Sequence, residues 1–356
     1  MYQDRSTRRT TSGRTAPRRP LHPGLLRRRR ADSKPKDNPA PRIALLVLIG
    51  SLLTVVSLAG IMGTTAYASY ANIATTLEPR LETIEDHEVF QTSRIFDRNG
   101  TLLYEFFDTG RRTQVSLAEV SPLLIQATIA IEDKTFFTNT GIDLEGMLRT
   151  IYQSITVGAE VGGASTITQQ VIKNIVLTEE ERSFENRYQR KMKEIILAQE
   201  MNEIYSKEAI LELYLNEIYY GNLAYGIQAA SEVYFTTAAA DLTLAQAALL
   251  AGLPQLPSQY DPLLYAQSDE NGRFIPGLVL GDSWRDLDYL LPDDTPPPKW
   301  RQVAVLRQMV DEGYVTDEQA RRAIAEDLRF AEQEVPLNAP HFVFYVRRLL
   351  EETYGQ

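Results

Sequence analysis

The chain has 356 residues, which is enough for one large domain or for two ordinary domains with a sizeable buried core. It has no cysteine, which excludes a disulfide framework and a thiolate metal site, and its three histidines are too far apart in sequence to suggest a histidine-rich metal centre or a Ser-His-Asp triad. The formal net charge of −10 hides an asymmetry, because residues 1–42 carry 13 Lys and Arg against 3 Asp and Glu.

The first 42 residues form a basic arm that is rich in Arg, Pro, Thr and Ser and almost without aliphatic residues. This composition cannot support a core, so we expect the arm to be disordered. A basic arm is compatible with nucleic-acid binding, with a transit peptide or with the cytoplasmic flank of a membrane span. The segment that follows the arm decides between them.

That segment, residues 43–62, reads IALLVLIGSLLTVVSLAGIM and contains no charge. At about 1.5 Å per residue it matches a hydrocarbon core of about 30 Å, so we predict one transmembrane helix rather than a buried core helix. A cleaved signal peptide is disfavoured, because Ala66-Tyr67-Ala68 is only a weak cleavage site and the span is longer than a usual signal sequence. The positive-inside bias keeps the arm in the cytoplasm and places the chain after about residue 63 outside.

The rest of the chain is predicted to be mainly α. Residues 63–115 form a stalk with a small β-hairpin, because Asn99-Gly100 lies between two apolar-rich runs. Apolar residues at three- and four-residue spacing make 116–260 a helical domain. Residues 261–300 are rich in Pro, Gly and Asp and predict a surface insertion, and 301–356 a helical tail. The predicted helices are 121–132, 143–157, 165–177, 187–204, 207–218, 243–251, 301–312 and 316–326.

A first group of candidate catalytic residues lies in AIEDKTFFTNTG, residues 130–141. An apolar helix runs directly into Glu132 and Asp133, and Phe136 and Phe137 follow. A carboxylate against aromatic rings is desolvated, which raises its pKa and makes it a usable general base. A helix-terminal acid in water beside core aromatics would give the same pattern, so this motif alone does not decide.

Two further motifs carry polar and cationic side chains on helices. GGASTITQQVIKN, residues 162–174, has hydroxyls, amides and a lysine that suit sugar and phosphate oxygens, although simple solvent exposure is the alternative. RKMKE, residues 190–194, places two cations on the helical face of an acid, as an ordinary surface ion pair also would. The candidates are Ser165, Thr168, Gln169, Gln170, Lys173, Arg190, Lys191 and Glu194.

In this order and spacing the motifs resemble glycosyltransferase family 51, the glycosyltransferase module of class A penicillin-binding proteins and of monofunctional peptidoglycan glycosyltransferases. The resemblance also includes YSKEAILELYLNEIYYG at residues 205–221, AASEVYF at 229–235 and LAQAALLAGLPQLPSQYDP at 244–262. It covers residues 93–260 well and continues faintly at 305–316 and 339–346. These last two stretches look like the linker toward a transpeptidase module.

The resemblance implies a lysozyme-like, mainly α fold with a membrane-facing lobe on the outer face of a bacterial cytoplasmic membrane. Glu132 would deprotonate the 4-hydroxyl of an acceptor sugar, which attacks the donor anomeric carbon with inversion and expels undecaprenyl pyrophosphate. Glu194 would assist the pyrophosphate, and Asp133 and Phe136 would shape the first motif. The remaining matches, Arg149, Ser165, Thr168, Gln169, Gln170, Lys173, Arg190 and Lys191, would bind sugar and phosphate groups.

The implied partners are lipid II, the growing glycan strand and the membrane, with cell-wall synthesis proteins as further candidates and no nucleic acid. No cofactor is required with certainty, and a divalent cation, Mg²⁺ or Mn²⁺, at the pyrophosphate is left open. One departure concerns Asn139, which stands where the family usually has a histidine, so a proton-relay role at that position is in doubt. The loop at residues 178–189 also looks a few residues longer than in common members.

Two other functions stay open at this stage. A lysozyme-like glycan hydrolase also uses one catalytic glutamate, but it would not need cations near the acid. An inactive membrane-tethered scaffold is disfavoured by the presence of both glutamates. We expect no transpeptidase activity in this chain, because its only SxxK is Ser33-Lys-Pro-Lys36 in the basic arm. We therefore expect part of a bifunctional class A protein or, alternatively, a naturally monofunctional enzyme.

Overall fold

The computed structural model describes residues 39–82, 84, 90–106, 110–157, 165–183, 186–265, 267–268, 274–275, 291, 295–326, 328–331 and 337–354. Three predicted features lie outside these residues: most of the basic arm, with the disorder predicted for it, most of the surface insertion, and the glycine pair Gly162-Gly163. The contacts divide the chain into two units, Met1–Gly63 and Thr64–Gln356.

The first helix, α1, spans Ala40–Glu82 and contains the predicted transmembrane segment. Its apolar part is exposed, and it is long and apolar enough to cross a membrane. The helix continues about 20 residues beyond the predicted end, because the residues after Gly63 hold no strong helix breaker before Pro79. Within the second unit, α1 buries Leu77 and Leu81 in the core.

Polar contacts fix this last part of α1 to the second unit. The Tyr205 hydroxyl donates to the carbonyl oxygen of Leu81 at 2.7 Å, and Arg80 pairs with Glu181 at 2.8 Å. Tyr70 donates to a carboxylate oxygen of Glu200. These contacts thus hold the helical start of the segment that was predicted as a stalk.

The predicted hairpin is present and is tied to the next strand by a buried carboxylate. Strand β1, Ser93–Phe96, pairs antiparallel with β2, Leu102–Phe106, around the Asn99-Gly100 turn. Glu105 on β2 is buried and binds Arg94 at 2.8 Å and Arg111 at 2.7 Å. Arg111 belongs to β3, Arg111–Arg112, which pairs parallel with β4, Ala224–Tyr225. Arg94 also pairs with Glu232 at 2.6 Å, so two acids fasten the hairpin to the body.

The helical body follows the predicted pattern closely. A core of aliphatic and aromatic residues joins the helices, with Tyr214, Tyr220 and Tyr234 among its largest fully buried side chains. Burying one large apolar side chain contributes about 1.5–3 kcal/mol. The helices are α2 Pro122–Glu132, α3 Leu144–Val157, α4 Ile167–Val171, α5 Glu179–Ser183, α6 Arg187–Ile204, α7 Lys207–Glu217, α8 Ile227–Phe235 and α9 Leu244–Gly252.

The helix predicted over residues 165–177 is divided in two. After α4 the chain widens into a π-helical segment, Ile172–Val176, in which the Leu177 amide donates to the carbonyl oxygen of Ile172 at 3.0 Å. Thr166 caps α4 by accepting from the Gln169 amide, and its hydroxyl donates to the carbonyl oxygen of Gly141 at 2.6 Å. The cap thus joins α4 to the loop after α2.

Three helices complete the chain: α10 Pro297–Asp311, α11 Asp317–Ala325 and α12 Pro340–Tyr354. Helix α10 packs against α2 and α9, so this part of the tail belongs to the same core as the helices before residue 260. Two short paired strands, β5 Gln267–Ser268 and β6 Phe274–Ile275, lie in the described part of the predicted insertion. The predicted mainly α class with a small β element is confirmed, whereas the predicted domain boundaries stay predictions.

Replacing Glu105 with alanine should destabilise the second unit by about 3 kcal/mol, because it leaves the part-buried Arg94 and Arg111 without their shared carboxylate. Denaturant unfolding of the detergent-solubilised chain measures this change. Exposed Arg98 in the same hairpin is the control, and its alanine variant should lie within about 0.5 kcal/mol of wild type. Equal losses for the two variants would contradict the role of the buried acid.

Candidate active site

Glu132 is the last residue of α2, and both of its carboxylate oxygens are held. Oε2 accepts a hydrogen bond from Gln170 Nε2 at 2.7 Å, and Oε1 lies 3.8 Å from Nη2 of Arg301 on α10. The side chain is only 11% exposed. Since α2 buries Leu124 and Ala127 on its inner face, the packing of the helix fixes where its terminal acid lies.

Burial raises the pKa of the Glu132 carboxyl above its ordinary value. The hydrogen bond from Gln170 and the charge of Arg301 oppose this effect, and the neighbouring Asp133 adds to it. A carboxyl with a raised pKa is a stronger base once it is ionised, so the group can accept a proton from a hydroxyl near neutral pH. The arrangement therefore suits general base catalysis.

Glu132→Gln should be increasingly more stable than wild type as pH rises. A raised pKa means that the folded chain prefers the protonated acid, so wild type loses stability as pH increases through the folded pKa, whereas the amide loses none. Denaturant unfolding at pH 5 and pH 8 measures the difference between the two proteins. A difference that is the same at both pH values would contradict a buried carboxyl at this position.

Asp133 does not share the role of Glu132, because a closed set of hydrogen bonds holds it. Asn139 Nδ2 donates to its two oxygens at 2.9 and 3.1 Å, and the Ile167 amide donates to Oδ2 at 3.2 Å. Asn139 Oδ1 accepts in turn from the Gly141 amide and from Lys207 Nζ. Burial raises the pKa of Asp133, and the donors oppose this. Asn139 thus connects Asp133 of the first motif with Lys207 of the stretch 205–221. Its amide makes these hydrogen bonds without gaining or losing a proton.

Asn139→Ala should cost about 2–3 kcal/mol of unfolding free energy, because it removes donors from a buried carboxylate and an acceptor from Lys207. Thermal and denaturant unfolding measure the loss. Thr140→Ala, at an exposed neighbouring position, is the control and should change stability by less than about 0.5 kcal/mol. A neutral Asn139→Ala variant would show that the network has no structural role.

A second group of predicted residues meets around Glu194, which is buried on α6. Lys191 Nζ lies 3.1 Å from Glu194 Oε2 and donates to Ser165 Oγ at 2.8 Å and Gln169 Oε1 at 2.7 Å. Arg190 Nε lies 3.4 Å from Glu194 Oε1, an ion pair without hydrogen-bond geometry. Two cations therefore contact the Glu194 carboxylate, and Lys191 links it to Ser165 and Gln169 of the other motif.

Several of the predicted residues line two cavities. The base cavity, about 230 Å³, is lined by Glu132, Asp133, Arg149 and Ser165 among others. The cationic cavity, about 710 Å³, is lined by Gln170 and by the cations Lys173, Arg182 and Arg112. Gln170 lines the second cavity and donates to the acid of the first, so it lies between them.

Six predicted residues lie outside both cavity linings: four belong to the group around Glu194, namely Gln169, Arg190, Lys191 and Glu194 itself, and the other two are Thr168 and Phe136. The hydroxyl of Thr168 is fully buried and accepts from Asn202 Nδ2 at 3.1 Å. Phe136 is fully buried beneath Lys207, whose Nζ lies 4.7 Å from the ring centroid. Both side chains therefore support the site through packing in this conformation.

The residues around Glu194 do not fit a protein-held divalent cation. In the part of the chain that the structure describes, no group of three or more His, Cys, Asp or Glu side chains is placed to hold a metal ion. Both Glu194 oxygens face cations instead. An anionic group at this site would meet lysine and arginine directly.

The geometry agrees with a comparison of the sequence with known families. The family model described as transglycosylase matches residues 99–274, which contain every predicted catalytic residue. Residues 99–274 are a transglycosylase domain. The family predicted from the motifs is thereby confirmed.

Relatives of this transglycosylase include penicillin-binding protein 1A of Vibrio cholerae, 32% identical over 82% of this chain and 31% of the relative. Penicillin-binding protein 1F of Bacillus subtilis is 41% identical over 51% of this chain and 25% of the relative. The chain thus spans about a quarter to a third of these relatives. A crystal structure of penicillin-binding protein 1A from Haemophilus influenzae gives a TM-score of 0.38 at 22% identity, over 76% of this chain and 25% of that one.

Sequence reasoning missed several residues of the transglycosylase site. Lys207 contacts Asn139, and Tyr214 and Tyr220 are buried near Glu132. All three lie in residues 205–221, a stretch that carried the resemblance, so that stretch was the available signal. Arg301 gave no signal, because its partner lies far away in the sequence and its own segment had been interpreted as tail. Arg182 of the cationic cavity lies in the loop that looked unusually long.

Proposed function

We propose that this chain polymerises lipid-linked disaccharide units into glycan strands. Glu132 takes the proton of the acceptor 4-hydroxyl, whose oxygen attacks the donor anomeric carbon from the opposite side to the leaving group. The new glycosidic bond forms with inversion as the bond to undecaprenyl pyrophosphate breaks and its electron pair leaves with the phosphate oxygen. The substrate class follows from the family, and the chemistry follows from the site.

The observation that carries this proposal is the position of Gln170 between the two cavities. Its amide donates to the base at 2.7 Å and also lines the space that holds Lys173. The side chain of Gln170 therefore contacts both the proton acceptor, Glu132, and the cationic cavity in which a departing anion would bind. Preorganised cations stabilise negative charge that develops on a leaving group, and desolvation strengthens them. This arrangement suits phosphate-leaving glycosyl transfer.

The cations also separate glycosyl transfer from glycan hydrolysis. A hydrolase with one catalytic glutamate releases a sugar hydroxyl, which carries no phosphate charge. Here Lys173 and Arg182 line one cavity, and Lys191 with Arg190 surrounds Glu194 close to Ser165. Cations that line a cavity beside the base would stabilise the charge of a departing pyrophosphate, so the cations of this cavity favour such a substrate over a plain glycan. Arg149 adds a cation to the base cavity.

The apolar part of α1 supports a location at the cytoplasmic membrane. The basic arm before it favours a cytoplasmic N-terminus, which would place the catalytic unit outside and within reach of lipid II and the glycan strand. Proteins of a cell-wall synthesis complex are further proposed partners. Nucleic acid is not a proposed partner, because the basic residues of the arm serve as the membrane flank.

A polymerisation assay tests the proposal. The full chain in detergent is mixed with labelled lipid II, and glycan products are separated by size. Wild type should form long polymer, and Glu132→Gln should be slower by about 10²–10⁴-fold, because general base catalysis supplies a factor of that size. Lys173→Ala should lose about 10²–10³-fold through weaker stabilisation of the leaving group.

Arg98→Ala is the matched control for charge, because Arg98 is an exposed cation in the hairpin turn, outside both cavity linings. It should polymerise as fast as wild type. If the folded wild type leaves lipid II unchanged, the scaffold alternative is favoured. If it shortens preformed glycan instead of extending it, the hydrolase alternative is favoured.

A further inference from the structure

Arg301 lies outside the segment that matches the transglycosylase family, yet it contacts the predicted base. The family match ends at residue 274, whereas Arg301 is in the second turn of α10. Its Nη2 atom lies 3.8 Å from Glu132 Oε1, and the two side chains are only 15% and 11% exposed. A part-buried ion pair of this kind is held by its surroundings rather than by chance contact at the surface.

Buried polar residues on both sides of Arg301 fix α10 in place. Lys299 Nζ donates to the carbonyl oxygen of Ile324 at 2.7 Å, and Gln302 Nε2 donates to that of Ala245 at 2.7 Å. Both side chains are fully buried. Because these bonds join α10 to α9 and α11, the helix cannot rotate or slide without breaking them. Arg301 therefore approaches Glu132 from a rigid support.

The aliphatic part of the Arg301 side chain packs against Gly252, the last residue of α9. Its Nε donates to the carbonyl oxygen of Gly252 at 3.3 Å, and its guanidinium lies 5.8 Å from the ring centroid of Tyr260. A Cβ atom at residue 252 would lie 2.7 Å from Arg301 Cγ, closer than real side chains come. The glycine thus leaves the space through which the arginine reaches the base.

We propose that Arg301 is a positioning residue that holds one oxygen of the Glu132 carboxylate and keeps this base ionised in its buried site. Gln170 hydrogen-bonds the other oxygen, so a donor and a cation face the two oxygens of the carboxylate. A guanidinium stays charged at every pH of interest, whereas the amide adds no charge. A helix beyond the matched family segment therefore completes the site. This inference rests on the proposed function.

The other groups that face Glu132 do not replace this cation. Tyr214 and Tyr220 are buried, and burial raises the pKa of each hydroxyl, so both stay neutral. Asp133 raises the pKa of Glu132 instead of lowering it. Lys134 of the same cavity lining pairs with Glu312 at 3.6 Å. Arg149 also lines this cavity, but among the described residues the cation that pairs with Glu132 is Arg301.

The test is the pH profile of kcat/KM for lipid II polymerisation by the full-length Arg301→Gln variant. Without the cation the base ionises at higher pH, so kcat/KM should fall about tenfold on the acidic side and approach wild type at alkaline pH. Arg301→Lys, which keeps the charge, should recover most of the acidic activity. Arg307→Ala, an exposed cation on the same helix, should match wild type.

Gly252→Ala keeps Arg301 but displaces its stem, so it should shift the profile in the same direction. Its backbone φ of −79° is acceptable for alanine, which limits the strain to the crowded side chain. A loss of kcat/KM by one factor at every pH, or no loss, in a folded Arg301→Gln variant would overturn the proposal. Circular dichroism establishes folding in each case.

A measurement without substrate separates this inference from the proposed function. The full chain is labelled with ¹³C at the glutamate carboxyl carbons, and Glu132→Gln assigns the Glu132 signal by its loss. Titration should place the Glu132 midpoint at higher pH in Arg301→Gln than in wild type. An unchanged midpoint would overturn the inference even if polymerisation occurs. A wild type that does not polymerise lipid II would refute the proposed function alone.

Discussion

The site depends on one carboxylate, that of Glu132, which is buried but still has a hydrogen-bond donor and a cation beside it. Glu132 ends a helix whose inner face is packed in the core, so its position follows from the burial of apolar residues rather than from the site itself. Burial alone would leave the acid protonated and inert. The amide of Gln170 and the charge of Arg301 reach it from two other helices. The fold therefore supplies the burial that raises the pKa of the base and the two partners that favour its ionised form.

Local sequence signals predicted the elements well, because those elements are governed by local physics. The Asn99-Gly100 turn, the apolar spacing of α6 and the Ser206 cap of α7 all act within a few residues. The end of α1 was predicted too early, because long-range packing of Leu77 and Leu81 rather than a local signal holds its last turns. The π-helical segment was not predicted either, since periodicity does not distinguish it from a regular turn.

The site was predictable only where motifs carried it. Glu132, Gln170 and Lys173 were candidates from the motifs themselves, and the resemblance suggested their roles. In the structure Gln170 donates to Glu132 and lines the same cavity as Lys173. The role of Asn139 was seen only as a missing histidine, whereas its amide binds both oxygens of Asp133. Arg301 could not be found, because no pattern in the sequence links a residue in the tail to an acid at the end of α2. Such pairs are fixed by tertiary packing alone.

The π-helical turn of Ile172–Val176 makes this region sensitive to chain length as well as to side-chain identity. Each residue of a helix advances the chain by about 100° around its axis, so deleting one residue here would turn everything beyond it by that amount. Gln170 precedes the widened turn and Lys173 lies within it. An insertion or deletion in this stretch would therefore move Lys173 relative to Gln170 and Glu132 even if every side chain were kept.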